Sequence, residues 1–124
     1  MIAADTSALS AFFDGDDGAD TKLVHIALVA RDICLPPVVL TEMLSDPLAQ
    51  AAMMESVAGF PLMPILDGYW LRAGDIRRLL KQKGLKAKIA DALVAQSCID
   101  HDVALITRDG DFRHFAKHCG LKLA

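Results

Sequence analysis

The amino-acid sequence predicts an α/β fold: a central, mainly parallel sheet of four to five short strands, flanked by helices in a three-layer arrangement. Three observations carry this. Short, wholly apolar runs (Ile2-Ala3-Ala4, Ile33-Cys34-Leu35, Ala104-Leu105-Ile106) alternate along the chain with longer stretches of helical periodicity. None of these runs alternates polar with apolar residues, so the sheet they form is covered on both faces. A length of 124 residues, 53% apolar and 23% charged, is enough for one hydrophobic core, so residues 1–124 read as a single domain.

Each element has a local reason. Ile2-Ala3-Ala4 stops at Asp5-Thr6-Ser7, a buried strand whose end carries a carboxylate and two hydroxyls. Ala8 to Phe13 reads as a short helix with Thr6 or Ser7 as its N-cap. Asp14-Gly15-Asp16-Asp17-Gly18 is a loop of turn residues. Leu23, Ile26, Ala27 and Ala30 recur at helical spacing, a second helix ending near Asp32. Ile33-Cys34-Leu35 is the next strand, closed off by Pro36-Pro37, and a proline in the first turn favours a helix from Val38 to Ser45. Asp46-Pro47 reads as another N-cap and first helical position, with the helix running through Met53 and Met54 to Gly59. Leu62 to Leu66 is a strand candidate that its prolines shorten or push to an edge. Gly68 to Gln82 is the longest helical pattern, with Gly84 past its end. Ala87 to Asp100 is apolar nearly all round and therefore central. Ala104 to Ile106 forms a strand that runs into Thr107-Arg108-Asp109-Gly110-Asp111. Phe112 to His118 is a short helix and Leu121 to Ala124 a last strand.

Composition excludes several classes. The apolar fraction together with a net charge of only −3 argues against disorder. Cys34, Cys98 and Cys119 are far apart and form no CxxC pair, so neither a disulfide framework nor a zinc knuckle is indicated. Free thiols point to a reducing compartment, the cytoplasm. The opening Met1-Ile2-Ala3-Ala4-Asp5 has no basic region ahead of an apolar one, so no secretory leader is expected. No apolar run approaches the ~20 residues of a membrane span.

The carboxylates are the chemical signal. In parallel α/β sheets the functional crevice lies outside the carboxyl ends of the strands. Asp5 and Asp109 each follow a strand, so both reach the same sheet edge and converge if those strands are neighbours. Glu42 sits among Val38, Val39, Leu40, Met43 and Leu44, and Asp91 among Ile89, Ala90, Ala92, Leu93 and Val94. An acid on so apolar a helix normally has a cation or metal beside it, because burying a lone carboxylate costs several kcal/mol. Structural uses stay open at each position: Asp5 and Asp109 as helix N-caps, Asp91 as a first-turn acid facing the helix dipole, Glu42 as a solvated residue.

Four sequence segments then converge on one family. Asp5-Thr6-Ser7-Ala8-Leu9 resembles the opening motif of PIN-domain nucleases. Glu42 in Val39-Leu40-Thr41-Glu42, Asp91 in Ala90-Asp91-Ala92-Leu93-Val94-Ala95 and Asp109 in Leu105-Ile106-Thr107-Arg108-Asp109-Gly110-Asp111-Phe112 match the family's other acidic motifs in order and context. The resemblance covers essentially the whole chain, and in size it is most similar to the VapC-type toxins of bacterial toxin–antitoxin pairs. It implies a PIN-like fold and a metal-dependent endoribonuclease that cleaves RNA phosphodiesters with metal-activated water. Asp5, Glu42, Asp91 and Asp109 are then the catalytic acids. Asp5, Asp91 and Asp109 ligate metal directly or through water, and Glu42 takes a coordinated water or a second ion. Thr6, Ser7 and Thr107 either orient a carboxylate or a water or serve as caps, and Asp111 is an outer residue. A carboxylate cluster without His or Cys is oxygen-only, which selects Mg²⁺ or Mn²⁺ over zinc. A cognate antitoxin and an RNA substrate are the implied partners, with a homodimer in which Tyr69 and Trp70 are interface aromatics. The alternatives are another PIN-domain RNA-processing nuclease, or a catalytically silent PIN binding domain. A receiver-like signalling module fits poorly, since it needs paired acids after the first strand and a Lys after a late one.

Phosphate attraction drives RNA binding, and seven of the 13 basic residues lie between Arg72 and Lys88, just before Asp91. This stretch either tracks an RNA backbone or forms an ordinary solvated face. Lys86 and Lys88, with Arg108, are the candidate RNA contacts. His114 and His118 are spaced i, i+4 but lack the HExxH glutamate and read as surface residues. Met43, Met53, Met54 and Met63 read as core filling.

Overall fold

Three strands, β1 (Ile2–Ala4), β2 (Ile33–Cys34) and β3 (Ala104–Ile106), form the sheet of the computed structural model, which describes residues 1–124. The order is β2-β1-β3 and every pairing is parallel. Ile2 stands opposite Ile33 and Ala104, and Ala4 opposite Ile106. Alanine is a poor strand former, yet Ala3 and Ala4 are fully buried at the centre of the sheet, where small side chains let helices come close. Single parallel bridges extend the sheet at both edges, Leu35 to Leu62 and Leu105 to Leu123.

The expected strands at Leu62–Leu66 and Leu121–Ala124 shrink to these bridges. Pro61 and Pro64 flank the first and offer no N–H to a ladder, so only the Leu35 N–H to Pro61 and the Met63 N–H to Leu35 are bonded, each at 2.8 Å. The second follows the left-handed Gly120, and Leu121 is spent on the core.

Seven helices surround the sheet: α1 (Thr6–Phe13), α2 (Ala19–Val29), α3 (Pro37–Leu44), α4 (Ala51–Ala58), α5 (Tyr69–Gln82), α6 (Ile89–His101) and α7 (Phe112–Cys119). Three of them depart from expectation. Helix α1 starts two residues early because Asp5, not Thr6 or Ser7, caps it by accepting the Ala8 N–H. Helix α2 buries Thr21, Val24 and Ala27, while Ile26 is 62% exposed. Helix α4 starts at Ala51 because the Asp46 carboxylate accepts the Leu48 N–H at 2.9 Å, closing a local turn instead of capping a helix.

Helix α6 buries Ala92 and then Val94 through Cys98, as its apolar circumference predicts, and packs on α3, α5, α7 and β3. Its burial pushes the Cys98 thiol up to about 12, so Cys98 is inert at neutral pH. All three cysteines are free. No helix is long and apolar enough to cross a membrane.

Candidate functional site

Because β1 and β3 are parallel neighbours, their carboxyl ends deliver Asp5 and the Thr107–Asp111 turn to one edge, where the Asp5 N–H donates to the Ile106 carbonyl at 3.1 Å. Asp5 is 5% exposed. Its Oδ1 accepts from the Ser7 hydroxyl at 2.8 Å and the Ala8 N–H at 3.0 Å, and its Oδ2 accepts from the Thr107 hydroxyl at 2.6 Å. Burial raises the Asp5 pKa, against the opposing pull of the bonds from Thr107, Ala8 and Ser7. The network continues outward. Thr107 Oγ1 accepts the Asp109 N–H at 3.0 Å, and Asp109 Oδ1 accepts the Asp111 N–H at 2.9 Å.

Helix α6 brings Asp91 to this edge in its first turn. Carboxylate oxygens of Asp91, Asp109 and Asp111 lie within 4.8 Å of one another. Burial, then the negative charge of Asp109, pushes the Asp91 pKa up to about 6; Lys88 opposes this, and Asp111 and Glu42 reinforce it. Glu42 comes from α3 and accepts from the Thr6 hydroxyl at 3.1 Å. It is exposed, so the expectation that its apolar neighbours would bury it is corrected: Val39 and Met43 face the core, and Glu42, on the flank of that face, opens into the cleft. Asp5, Glu42, Lys88, Asp91 and Asp109 share one cleft of about 300 Å³.

A PIN-domain family model matches residues 2–118, the span that contains every one of these acids. The chain belongs to the PIN domain family. Among solved structures, the chain is similar to VapBC2 from Rickettsia felis, crystallised bound to a DNA fragment from its promoter. The TM-score is 0.74 at 21% identity, covering 100% of this chain and 98% of that one. It is also similar to VapBC-5 of Mycobacterium tuberculosis, a member of the VapBC family of toxin–antitoxin systems. There the TM-score is 0.71 at 21% identity, over 98% of this chain and 95% of the other. Comparison with curated proteins gives no match.

In this PIN domain Asp111 stands with Asp91 and Asp109, within 4.8 Å, while the 5% exposed Asp5 is outside that group of three. The signal for this was the Asp109-Gly110-Asp111 spacing, which a carboxylate-to-N–H turn folds back on itself. Thr6, Ser7 and Thr107 all hold carboxylates, and none is a helix cap. The three candidate RNA contacts diverge. Lys88 lines the acidic cleft, and Lys86 Nζ lies 3.2 Å from Asp111. Arg108 points away, its guanidinium bonded to Asp20 at 2.8 and 3.0 Å and to the Asp17 carbonyl at 3.2 Å. It ties down the loop between α1 and α2, and its backbone N–H donates to Ser7 Oγ at 2.9 Å. Tyr69 is buried, with its hydroxyl donating to the Leu93 carbonyl at 2.7 Å, so its sequence-based place at an interface is corrected to the core. His114 and His118 join no cluster of ligating side chains.

Proposed function

We propose that this PIN domain is a metal-dependent endoribonuclease of the VapC kind, the toxin of a VapBC-like toxin–antitoxin pair. The observation that carries the reading is the gathering of Asp91, Asp109 and Asp111 within 4.8 Å, with the buried Asp5 and the exposed Glu42 lining the same cleft as Asp91 and Asp109. Three carboxylates this close repel one another, and the Asp91 pKa is raised first by burial and then by the charge of Asp109. A divalent cation relieves that repulsion. The donors are all oxygens, a set that fits Mg²⁺ or Mn²⁺ and not zinc.

Asp91, Asp109 and Asp111 would hold the ion, with Asp5 acting through water or through its charge. A divalent ion held there would supply positive charge against the scissile phosphate and acidify a water for attack. The chain's own residues set the geometry. Asp5 fixes Thr107, Thr107 fixes the Asp109 backbone, and Asp109 fixes that of Asp111, so one buried carboxylate orients two partly exposed ones. Thr6 aims Glu42 at the cleft mouth, where it accepts a proton or orders water. Lys88 on the wall meets the phosphate backbone, and Lys86, 3.2 Å from Asp111, adds positive charge beside the acids.

The solved VapBC relatives support an antitoxin as the partner, and the free cysteines support a cytoplasmic setting. A homodimer belongs to the reading, with its interface away from the buried Tyr69. The test is cleavage of a fluorophore–quencher RNA panel with Mg²⁺, Mn²⁺ or EDTA. Cleavage is expected with either ion and none in EDTA, with a loss of about 100-fold or more in Asp91→Asn, which removes a ligand charge but little volume. Cleavage that persists in both Asp5→Asn and Asp91→Asn overturns the assignment.

A further inference from the structure

A groove of about 620 Å³ runs between α5 and α6, against about 300 Å³ for the acidic cleft. From α5 come Trp70, Ala73, Gly74, Arg77, Arg78 and Lys81, spaced i, i+3, i+4, i+7, i+8 and i+11, which is a single helical face. From α6 come Ile89, Ala92 and Leu93. Trp70 is 66% exposed and Ile89 65%, a large apolar area to leave in water. Arg77 spends its Nε on the Ala87 carbonyl, and Arg78 and Lys81 take part in no ion pair.

Two further features are unexplained by packing. Gly74 lies inside a 14-residue helix, where glycine costs about 1 kcal/mol relative to alanine. Nothing in the fold requires it, because a Cβ built there meets no atom within 4 Å. The glycine keeps the groove floor low. The groove also shares a wall with the acidic cleft: in the first turn of α6, Ile89 and Ala92 face the groove while Lys88 and Asp91 face the cleft.

We propose that the α5–α6 groove is the entry site for single-stranded RNA: Trp70 stacks a base, and Arg77, Arg78 and Lys81 hold the neighbouring phosphates. Exposed aromatic faces beside a cationic track are how single strands are bound without sequence readout. The strand then crosses one helical turn of α6 to reach Lys88 and the carboxylates. Charge decides against a second copy of the chain as occupant, since a two-fold interface on this face sets three cations against three. The inference rests on the nuclease reading for its substrate class but is tested without cleavage.

Trp70 is the only tryptophan in the chain, so its emission reports the groove directly. The full chain is titrated with a ten-nucleotide oligouridine in EDTA, where binding is read without turnover. Saturable quenching of Trp70 is expected. The double variant Arg78→Ala/Lys81→Ala weakens binding about tenfold at low salt and reduces the log–log salt slope by about 1.4, the share of two phosphate contacts on a single strand. Trp70→Ala weakens binding of a labelled oligouridine by about fivefold or more. Gly74→Glu, whose side chain enters open space, abolishes the quenching while the far-ultraviolet spectrum and melting remain those of a folded chain.

RNA binding that leaves Trp70 emission unchanged, unaltered affinity in these variants, or no binding at all overturns the proposal. So does quenching by polyglutamate but not by RNA, which assigns the groove to an acidic protein segment. A concentration-dependent blue shift of Trp70 with dimerisation that Gly74→Glu abolishes assigns it to a second copy. Quenching by RNA without metal-dependent cleavage leaves the groove standing and removes the nuclease reading; cleavage without quenching does the reverse.

Discussion

The Asp5 carboxylate accepts from three neutral donors, the Ala8 N–H and the hydroxyls of Ser7 and Thr107, and from no cation. Its helix-capping and site-building roles are therefore one arrangement. The bond that starts α1 also fixes the carboxylate, whose other oxygen then positions Thr107 and the turn beyond. Asn matches Asp as an N-cap: its Oδ1 keeps the Ala8 bond while its amide donates to Thr107, which accepts as readily as it donates. Alanine removes the cap, worth about 1 kcal/mol, and takes the charged acceptor from the half-buried Ser7 and Thr107 hydroxyls, the loss of whose bonds costs about 1 kcal/mol more. Asp5→Ala is thus expected to lower stability by about 2 kcal/mol and Asp5→Asn by less than half of that, measured as urea midpoints in EDTA. Equal losses in the two would show that the charge, not the hydrogen-bond pattern, holds this edge together.

Helix α5 enters through Gly68, whose φ is +80° and where a Cβ would meet the Arg72 guanidinium at 2.6 Å. One turn later Arg72 closes a fork on Asp100 of α6, at 2.9 and 2.6 Å, while Gln96 donates to the same carboxylate at 2.7 Å. The Asp100 side chain is only 6% exposed, so the fork matters less for its own attraction than for what its loss leaves behind: a carboxylate out of water with one neutral donor. Arg72→Met is expected to lower stability at pH 7, chiefly by stranding the Asp100 carboxylate. Arg72 holds the Asp100 pKa below the usual carboxylate range, so the pair's contribution is present above about pH 4 and is lost as pH falls through the native value. Urea midpoints of the variant and the parent should approach each other below pH 4, and a gap independent of pH would assign the loss to packing of the arginine stem. Much of this scale is legible in the sequence. The strand triplets are apolar throughout and stop at turn residues, and α6 is apolar almost all round, which leaves it nowhere but the centre. The rest follows from competing local chemistry. Asp46-Pro47 serves a turn as well as a helix start, α2 carries apolar residues on two faces so that periodicity could not choose Val24 over Ile26, and the place of Asp111 depends on a turn bond that the Asp109-Gly110-Asp111 spacing permits but does not require. Asp5 and Asp109 were legible as a pair because parallel neighbours must deliver their ends together; the α5–α6 groove was not, because it needs two helices in contact.

At the scale of the whole molecule, the fold holds its acids together against their repulsion, and stability is linked to both protons and metal. Burial and Asp109 push Asp91 up to about 6, and burial raises Asp5 in the same direction. Between about pH 4 and pH 6 the folded chain therefore keeps a proton on Asp91 that the unfolded chain has released. Stability without metal falls as pH rises through that window and stays lower above it. Discounted for the partial solvation of the carboxyl, the loss is about 1–2 kcal/mol. Asp91→Asn abolishes that share of the decline and leaves the metal-free protein more stable than the parent at pH 7.5 by a similar amount. A cation restores the parent instead. If Mg²⁺ binds with a Kd of about 0.1–1 mM, about 10 mM of it adds about 1.4–2.7 kcal/mol, a rise in melting temperature of several degrees for a domain of this size. The same addition at pH 5 has to displace the Asp91 proton and gains much less. Thermal melts of parent and Asp91→Asn, with Mg²⁺ or EDTA at pH 5 and pH 7.5, check all of this at once. A variant that keeps the full Mg²⁺ shift, or a parent whose shift is the same at both pH values, would place the ion away from Asp91. Stabilisation in the parent at pH 7.5 alone ties the proton, the metal and the fold to one carboxylate.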